Sequence, residues 1–251
     1  MVQLKKKIAL VTGGSRGLGR AIVEALAAEG ANVWAIARDA KRLDLLKQEV
    51  KGVQTRVADV TLPQTASETL RAIGPDILVL NAGAGVTPNP KPVHELTWEQ
   101  FSLVWETDVK ATFLFGKEAL TMPMQPGSVV VIISSTAAIV GTSPLGGSYA
   151  GAKRMQWFLA HYFQQEADRL NLGIRFVALL PPPVGTTDRG HMAVSASAAW
   201  QGISEQAYLE RFGEMLTPEA VGRGVVSLVT DDTYQDGIAY RLTGQGLELL
   251  N

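Results

Sequence analysis

A chain of 251 residues, 46% hydrophobic and 19% charged, has the make-up of one folded domain with a large core. Its formal net charge of −1 leaves no basic surplus to hold a nucleic-acid backbone. The lack of cysteine excludes disulfides, thiolate metal ligands and a thiol nucleophile.

Lys7–Thr12 (KIALVT) is an apolar, β-branched run without polar alternation, the pattern of a strand covered on both faces. A Gly-rich turn follows. Leu18, Ala21, Ile22, Ala25 and Leu26 then recur at helical spacing until Gly30. Asn32–Ala37 reads as a strand, Ala40–Val50 as a helix, and Gln54–Val57 as a short strand. Pro63–Ile73 is a helix closed by Gly74-Pro75, and Ile77–Leu80 a fourth strand. Thr97 and Gln100 have capping-box spacing, and the helix they open is expected to run on towards Met122. Ser128–Ile133 is the fifth strand, Ser148–Leu170 a long helix, and Ile174–Leu180 a sixth strand stopped by Pro181-Pro182-Pro183. Residues 184–203, small and apolar, read as irregular. Thr217-Pro218-Glu219 opens another helix, with Thr as N-cap and Pro at the first helical position, and Ile238–Leu242 is the last strand.

This alternation predicts an α/β fold: a single-domain, Rossmann-type, doubly wound parallel sheet of about seven strands flanked by helices, spanning 1–251. Ligands of such sheets bind beyond the C-terminal strand ends. No apolar stretch approaches the ~18 residues of a membrane span, and no secretory signal is visible. With the absence of cysteine, a cytoplasmic protein without membrane or nucleic-acid partners is expected. The three histidines lack ligand spacing, so no metal site is expected.

The first turn, Gly13-Gly14-Ser15-Arg16-Gly17-Leu18-Gly19, lets the backbone approach a pyrophosphate, with the N-terminus of the next helix offering free N–H groups. It lacks the Gly-Lys-Ser/Thr ending of a nucleotide-hydrolase loop. Tyr149 and Lys153 are four apart and share one helical face. A nearby ammonium favours phenolate over phenol, so such a tyrosine can exchange protons near neutral pH.

These signals come in order: the Gly-x-x-x-Gly-x-Gly turn, Asn81-Ala82-Gly83 after the fourth strand, Ser134-Ser135 after the fifth, then Tyr149-x-x-x-Lys153. In that order and at those distances the chain resembles the short-chain dehydrogenase/reductase family, from about Lys6 to Gly244. The resemblance implies an oxidoreductase that moves a hydride between NADP(H) or NAD(H) and a carbonyl or alcohol. It implies that Gly13, Ser15, Arg16, Gly17, Leu18 and Gly19 surround the pyrophosphate, Asp59 and Val60 the adenine, and Asn81, Ala82 and Gly83 the cofactor-facing strand end. Pro181, Val184 and Thr186 would face the nicotinamide. Tyr149 would be the general acid/base, Lys153 its electrostatic partner and the holder of the nicotinamide ribose, and Ser135 the donor to the substrate oxygen. A homotetramer or homodimer is also implied.

The chain departs from the family pattern in three places. Asp108 stands where an Asn is usual: the resemblance implies a catalytic role in which it accepts from a relay water that resupplies the proton, while it brings a negative charge towards Lys153. Pro182 replaces a Gly after the sixth strand. The loop from Ser135 to Tyr149 is one residue longer, so Ser134 and Thr136 rival Ser135. Arg38 follows the second strand, and with Arg16 it resembles the NADP-preferring branch, since arginines pair with a 2′-phosphate. Asp39, one residue on, would instead favour NAD. The expected function is an NADP-dependent carbonyl reductase or alcohol dehydrogenase acting on an apolar ketone or aldehyde, with a substrate lid at about 185–215. The rival is a non-catalytic NADP(H)-binding sensor, which Asp108 and Pro182 keep open.

Overall fold

Strand and helix alternate along the chain as the periodicity predicts. The computed structural model describes residues 4–84, 90–141, 144–184, 187–212 and 216–250. In chain order these form β1 (Ile8–Thr12), α1 (Gly17–Ala28), β2 (Asn32–Ala37), α2 (Ala40–Glu49), β3 (Gln54–Val57), α3 (Pro63–Ile73) and β4 (Ile77–Leu80). Next come α4 (Trp98–Val104), a π-turn at Trp105–Val109, α5 (Lys110–Thr121), β5 (Val129–Ile133), α6 (Ala137–Val140), α7 (Gly147–Arg169) and β6 (Arg175–Leu180). The chain closes with α8 (Asp188–Gln201), α9 (Glu205–Leu209), α10 (Pro218–Thr230), β7 (Ala239–Thr243) and β8 (Gly246–Leu249).

The strands make one sheet in the order β3-β2-β1-β4-β5-β6-β7-β8. All neighbours are parallel except β7 and β8. Successive strand residues point to opposite faces, and both faces are covered. Ala9, Val11, Val33, Ala35, Val131 and Val177 join one core with Ile22 and Leu26 of α1, Leu43 and Leu46 of α2, and Val221, Val225 and Leu228 of α10. Leu10, Ile36, Leu78, Val130, Ile132 and Phe176 join the other with Leu70 of α3, Phe115 of α5, and Trp157 and Phe163 of α7. This double burial is why the strands read as unbroken apolar runs. α1 and α10 approach closely: a Cβ on Gly222 would lie 2.7 Å from the Ala21 carbonyl oxygen.

Three expectations need correction. The sheet has eight strands, not about seven. β8 folds back antiparallel, with Thr243 opposite Gly246 across a two-residue connection. Residues 184–203 are not irregular, because α8 occupies most of them. Its Ala and Ser residues surround the helix on every side and leave no apolar stripe, so the periodicity that reveals helices is missing. Its caps are ordinary: the Thr187 side chain accepts from the Gly190 N–H, and Gly202 closes the helix in the left-handed region at φ 65°. The long helix expected from Thr97 to Met122 is interrupted by the π-turn, whose one extra residue per turn breaks the 3.6 period. Among the described residues, no helix is long and apolar enough to cross a membrane.

Candidate active site

β1 and β4 are sheet neighbours whose crossovers diverge to opposite faces, which opens a crevice at their C-terminal ends. A cavity of about 820 Å³ lies there, within the usual range for a ligand site. Its wall includes Gly13, Ser15, Arg16, Gly17, Leu18, Gly19, Arg38, Asp59, Val60, Asn81, Ala82, Gly83, Asp108, Ser135, Tyr149, Lys153, Pro181 and Val184. Thr186 lies outside the described residues.

The turn after β1 is stitched in place. The Thr12 hydroxyl accepts from the Asn81 and Ala82 N–H groups at 3.0 and 3.1 Å and donates to the Val79 carbonyl at 3.2 Å. The Asn81 amide donates to the Thr12 carbonyl at 3.0 Å. Gly13 adopts φ +68°, and a Cβ on Gly19 would run into the Gly13 carbonyl oxygen. At the start of α1, Arg16 makes no side-chain cap and the first turn carries no acidic residue. The helix N-terminus therefore keeps its N–H donors and positive dipole end for an anion. Bare backbone, a close approach and an uncapped helix end fit a dinucleotide pyrophosphate.

Arg38 follows directly on β2, and Arg42, in the first turn of α2, lines the same cavity. Sequence reasoning missed Arg42, though its place in the first turn of the helix after β2 was readable. Asp39 lines it too; its side chain accepts from the Arg42 N–H at 3.1 Å as N-cap of α2 and pairs with the Arg42 guanidinium at 3.3 Å. The Thr61 backbone N–H, aided by the Thr61 hydroxyl and the positive charge of Arg38 and opposed by partial burial, holds the Asp59 carboxyl below the usual carboxylate range.

The Lys153 ammonium lies 5.5 Å from the Tyr149 ring centroid. It donates to the Gln156 side-chain oxygen at 2.8 Å and to the Ile133 carbonyl at 3.3 Å, and sits 3.1 Å from Asp108 Oδ2. Side-chain exposure is only 7% for Lys153 and 1% for Asp108, so this is a buried ion pair. Asp108 Oδ1 accepts from the Ala84 N–H at 2.6 Å. Gly83 makes room for that carboxylate, since a Cβ there would stand 2.5 Å from Oδ2. The Ser134 hydroxyl donates to the Lys153 carbonyl at 2.7 Å, inside the structure. Ser135 Oγ accepts from the Ala137 N–H at 3.2 Å, which leaves its own hydrogen for a ligand. Thr136 also lines the cavity, as do Ala193, Val194 and Ser197 of α8 and Tyr208 of α9.

Residues 7–196 match the sequence profile of the short chain dehydrogenase family. The chain belongs to that family. As a short chain dehydrogenase it is an oxidoreductase that takes a nicotinamide cofactor. Over 162 residues it is 38% identical to a tropinone reductase homologue of Arabidopsis thaliana, a match spanning 59% of this chain and 59% of that protein. Over 250 residues it is 28% identical to the L-fucose dehydrogenase of Bos taurus, covering 97% and 90% of the two chains. The crystal structure of a 3-ketoacyl-(acyl-carrier-protein) reductase from Brucella melitensis, complexed with NADH, superposes with a TM-score of 0.78 at 21% identity, covering 96% of this chain and 98% of the other. At that identity the likeness is one of fold. Asp108 lies 3.1 Å from the lysine of the Tyr149-x-x-x-Lys153 pair.

Proposed function

We propose that this short chain dehydrogenase transfers hydride between NADP(H) and an apolar ketone or aldehyde, or the corresponding alcohol. The observation that carries the reading is that Tyr149, Lys153 and Ser135 line the same cavity into which the Gly13–Gly19 turn opens. The nicotinamide supplies or accepts the hydride when bound. Gly13, Gly17, Gly19 and the α1 N-terminus hold the pyrophosphate, with Ser15 and Leu18 beside it. Asp59 and Val60 flank the adenine, and Pro181 and Val184 wall the nicotinamide. Arg16, Arg38 and Arg42 supply positive charge for a 2′-phosphate, and the use of Asp39 as a helix cap supports NADP(H) over NAD(H).

Ser135 donates to the substrate oxygen, Tyr149 gives or takes the proton there, and Lys153 stabilises the tyrosinate and holds the nicotinamide ribose. Ala193, Val194 and Val140 on the cavity wall favour apolar substrate groups. The whole chain acts as one catalytic domain, with α8 and α9 as its substrate lid. We place the enzyme in the cytoplasm on its cysteine-free composition. It works as a homo-oligomer through the exposed Phe113 of α5 and Phe158 and Tyr162 of α7.

The test is oxidation of NADPH, and separately NADH, against a panel of ketones and aldehydes, with Tyr149→Phe alongside. Turnover favouring NADPH and lost in the variant is expected. NADPH binding without turnover on any carbonyl would replace the enzyme by a sensor. Full turnover in Tyr149→Phe would remove the tyrosine from the mechanism.

A further inference from the structure

Gln156, three residues past Lys153 on α7, is 1% exposed. Because an ammonium only donates, the amide oxygen of Gln156 must face Lys153, as it does at 2.8 Å. The amide nitrogen then donates to Thr112 Oγ1 at 2.7 Å and to the Asp108 carbonyl at 3.2 Å, tying the lysine to α5 and the π-turn. The Thr112 hydroxyl donates in turn to the Asp108 carbonyl at 2.8 Å, so the tie is fixed at both ends.

Two of the three ammonium hydrogens are thereby directed to Gln156 and Ile133. Asp108 Oδ2 is only 3.1 Å away, yet it has no hydrogen-bond partner among the described residues. The two charges are close but out of line. A buried carboxylate oxygen beside an ammonium gains a charge-assisted bond as soon as the ammonium can turn towards it. Gln156 is the aligned side-chain acceptor that opposes this turn.

We propose that Gln156 is a positioning residue that holds the Lys153 ammonium off full alignment with Asp108 and so keeps one N–H for the nicotinamide ribose. The proposal rests on the reading above that Lys153 holds that ribose. Gln156→Met keeps the length of the side chain and removes the acceptor.

The test is cofactor affinity, read by fluorescence titration, for NADPH and for 2′,5′-ADP, a fragment without the nicotinamide ribose (NADH and AMP if NADH binds more tightly). In Gln156→Met the NADPH Kd should rise about tenfold, the scale of one hydrogen bond to a charged group, with fragment binding unchanged. Adding Asp108→Asn to that variant should restore NADPH affinity, because the competing charge is gone. An unchanged NADPH Kd in Gln156→Met, with Lys153→Met weakened, overturns the role of Gln156 and leaves the lysine reading standing. An unchanged Kd in both variants overturns the lysine reading itself. Equal weakening of NADPH and fragment, or no rescue by Asp108→Asn, reduces Gln156 to a packing role and overturns the proposal. If Gln156→Met does not fold, Thr112→Val, which removes the hydroxyl behind the Gln156 amide, should give a smaller loss in the same direction. An unchanged Kd in folded Thr112→Val overturns the proposal too.

Discussion

Replacing Tyr149 by Phe removes one oxygen and leaves the ring that Lys153 approaches at 5.5 Å. Cofactor binding should therefore persist while kcat falls by about a hundred- to ten-thousandfold, the usual worth of a positioned proton donor, as read by steady-state kinetics beside a binding titration. Two neighbouring residues separate the cofactor readings. Arg38→Leu should lower the preference for NADPH over NADH by roughly tenfold or more, through loss of a charge-assisted contact. Asp39→Ala should leave NADH affinity alone and cost α2 about 0.5–2 kcal/mol as a lost N-cap, measured by chemical denaturation. Weakened NADH binding in Asp39→Ala would assign Asp39 to the ribose after all. The Gly-rich turn and the Tyr–Lys pair were legible because residue type and spacing alone put them on a turn and on one helix face. That Asp39 caps α2 and pairs with Arg42 was not, because it depends on local geometry at the helix start. Likewise Ser134 and Ser135 look alike in sequence, and only the bond from Ser134 to the Lys153 carbonyl separates them. Gln156 gave no signal beyond standing three residues from Lys153, and its meaning comes from Thr112, 44 positions earlier in the chain.

Elements that bury one stripe or both faces announced themselves, and those that do neither did not. α8 is the clearest case: small side chains on every side give it no period, and only its caps mark its ends. β8 is four residues long and half exposed, with Gly244-Gln245 as the one hint of a hairpin. The packing of α5 on α7 turns on Gly116, where an added Cβ would overlap the Phe163 ring. That ring is buried and lies 5.4 Å from Phe176, centroid to centroid, so it has little room to give way. Gly116→Ala should cost about 1–3 kcal/mol despite its better helix propensity, visible as a lower denaturation midpoint with an unchanged slope. A stabilised variant would mean that the two helices can separate freely.

At the scale of the molecule, seven parallel strands with crossover helices follow from alternation and burial, but the edge hairpin and the break in the α4–α5 helix do not. The outer faces of α5 and α7 carry Phe113, Phe158 and Tyr162 at 47%, 43% and 55% exposure, with the last two rings stacked 6.4 Å apart. Such a patch suits a second copy of the chain. Sedimentation should show a homo-oligomer, and the double variant Phe158→Glu, Tyr162→Glu should sediment as a monomer. A wild-type monomer at micromolar concentration would leave these rings without that role.

The close approach of Gly222 to the Ala21 carbonyl joins two helices far apart in sequence across the same sheet face. During synthesis, the apolar stripe of Ile22 and Leu26 is made long before Val221, Val225 and Leu228, which help cover it. The nascent chain must therefore carry α1 with an open, sticky stripe until α10 has been made.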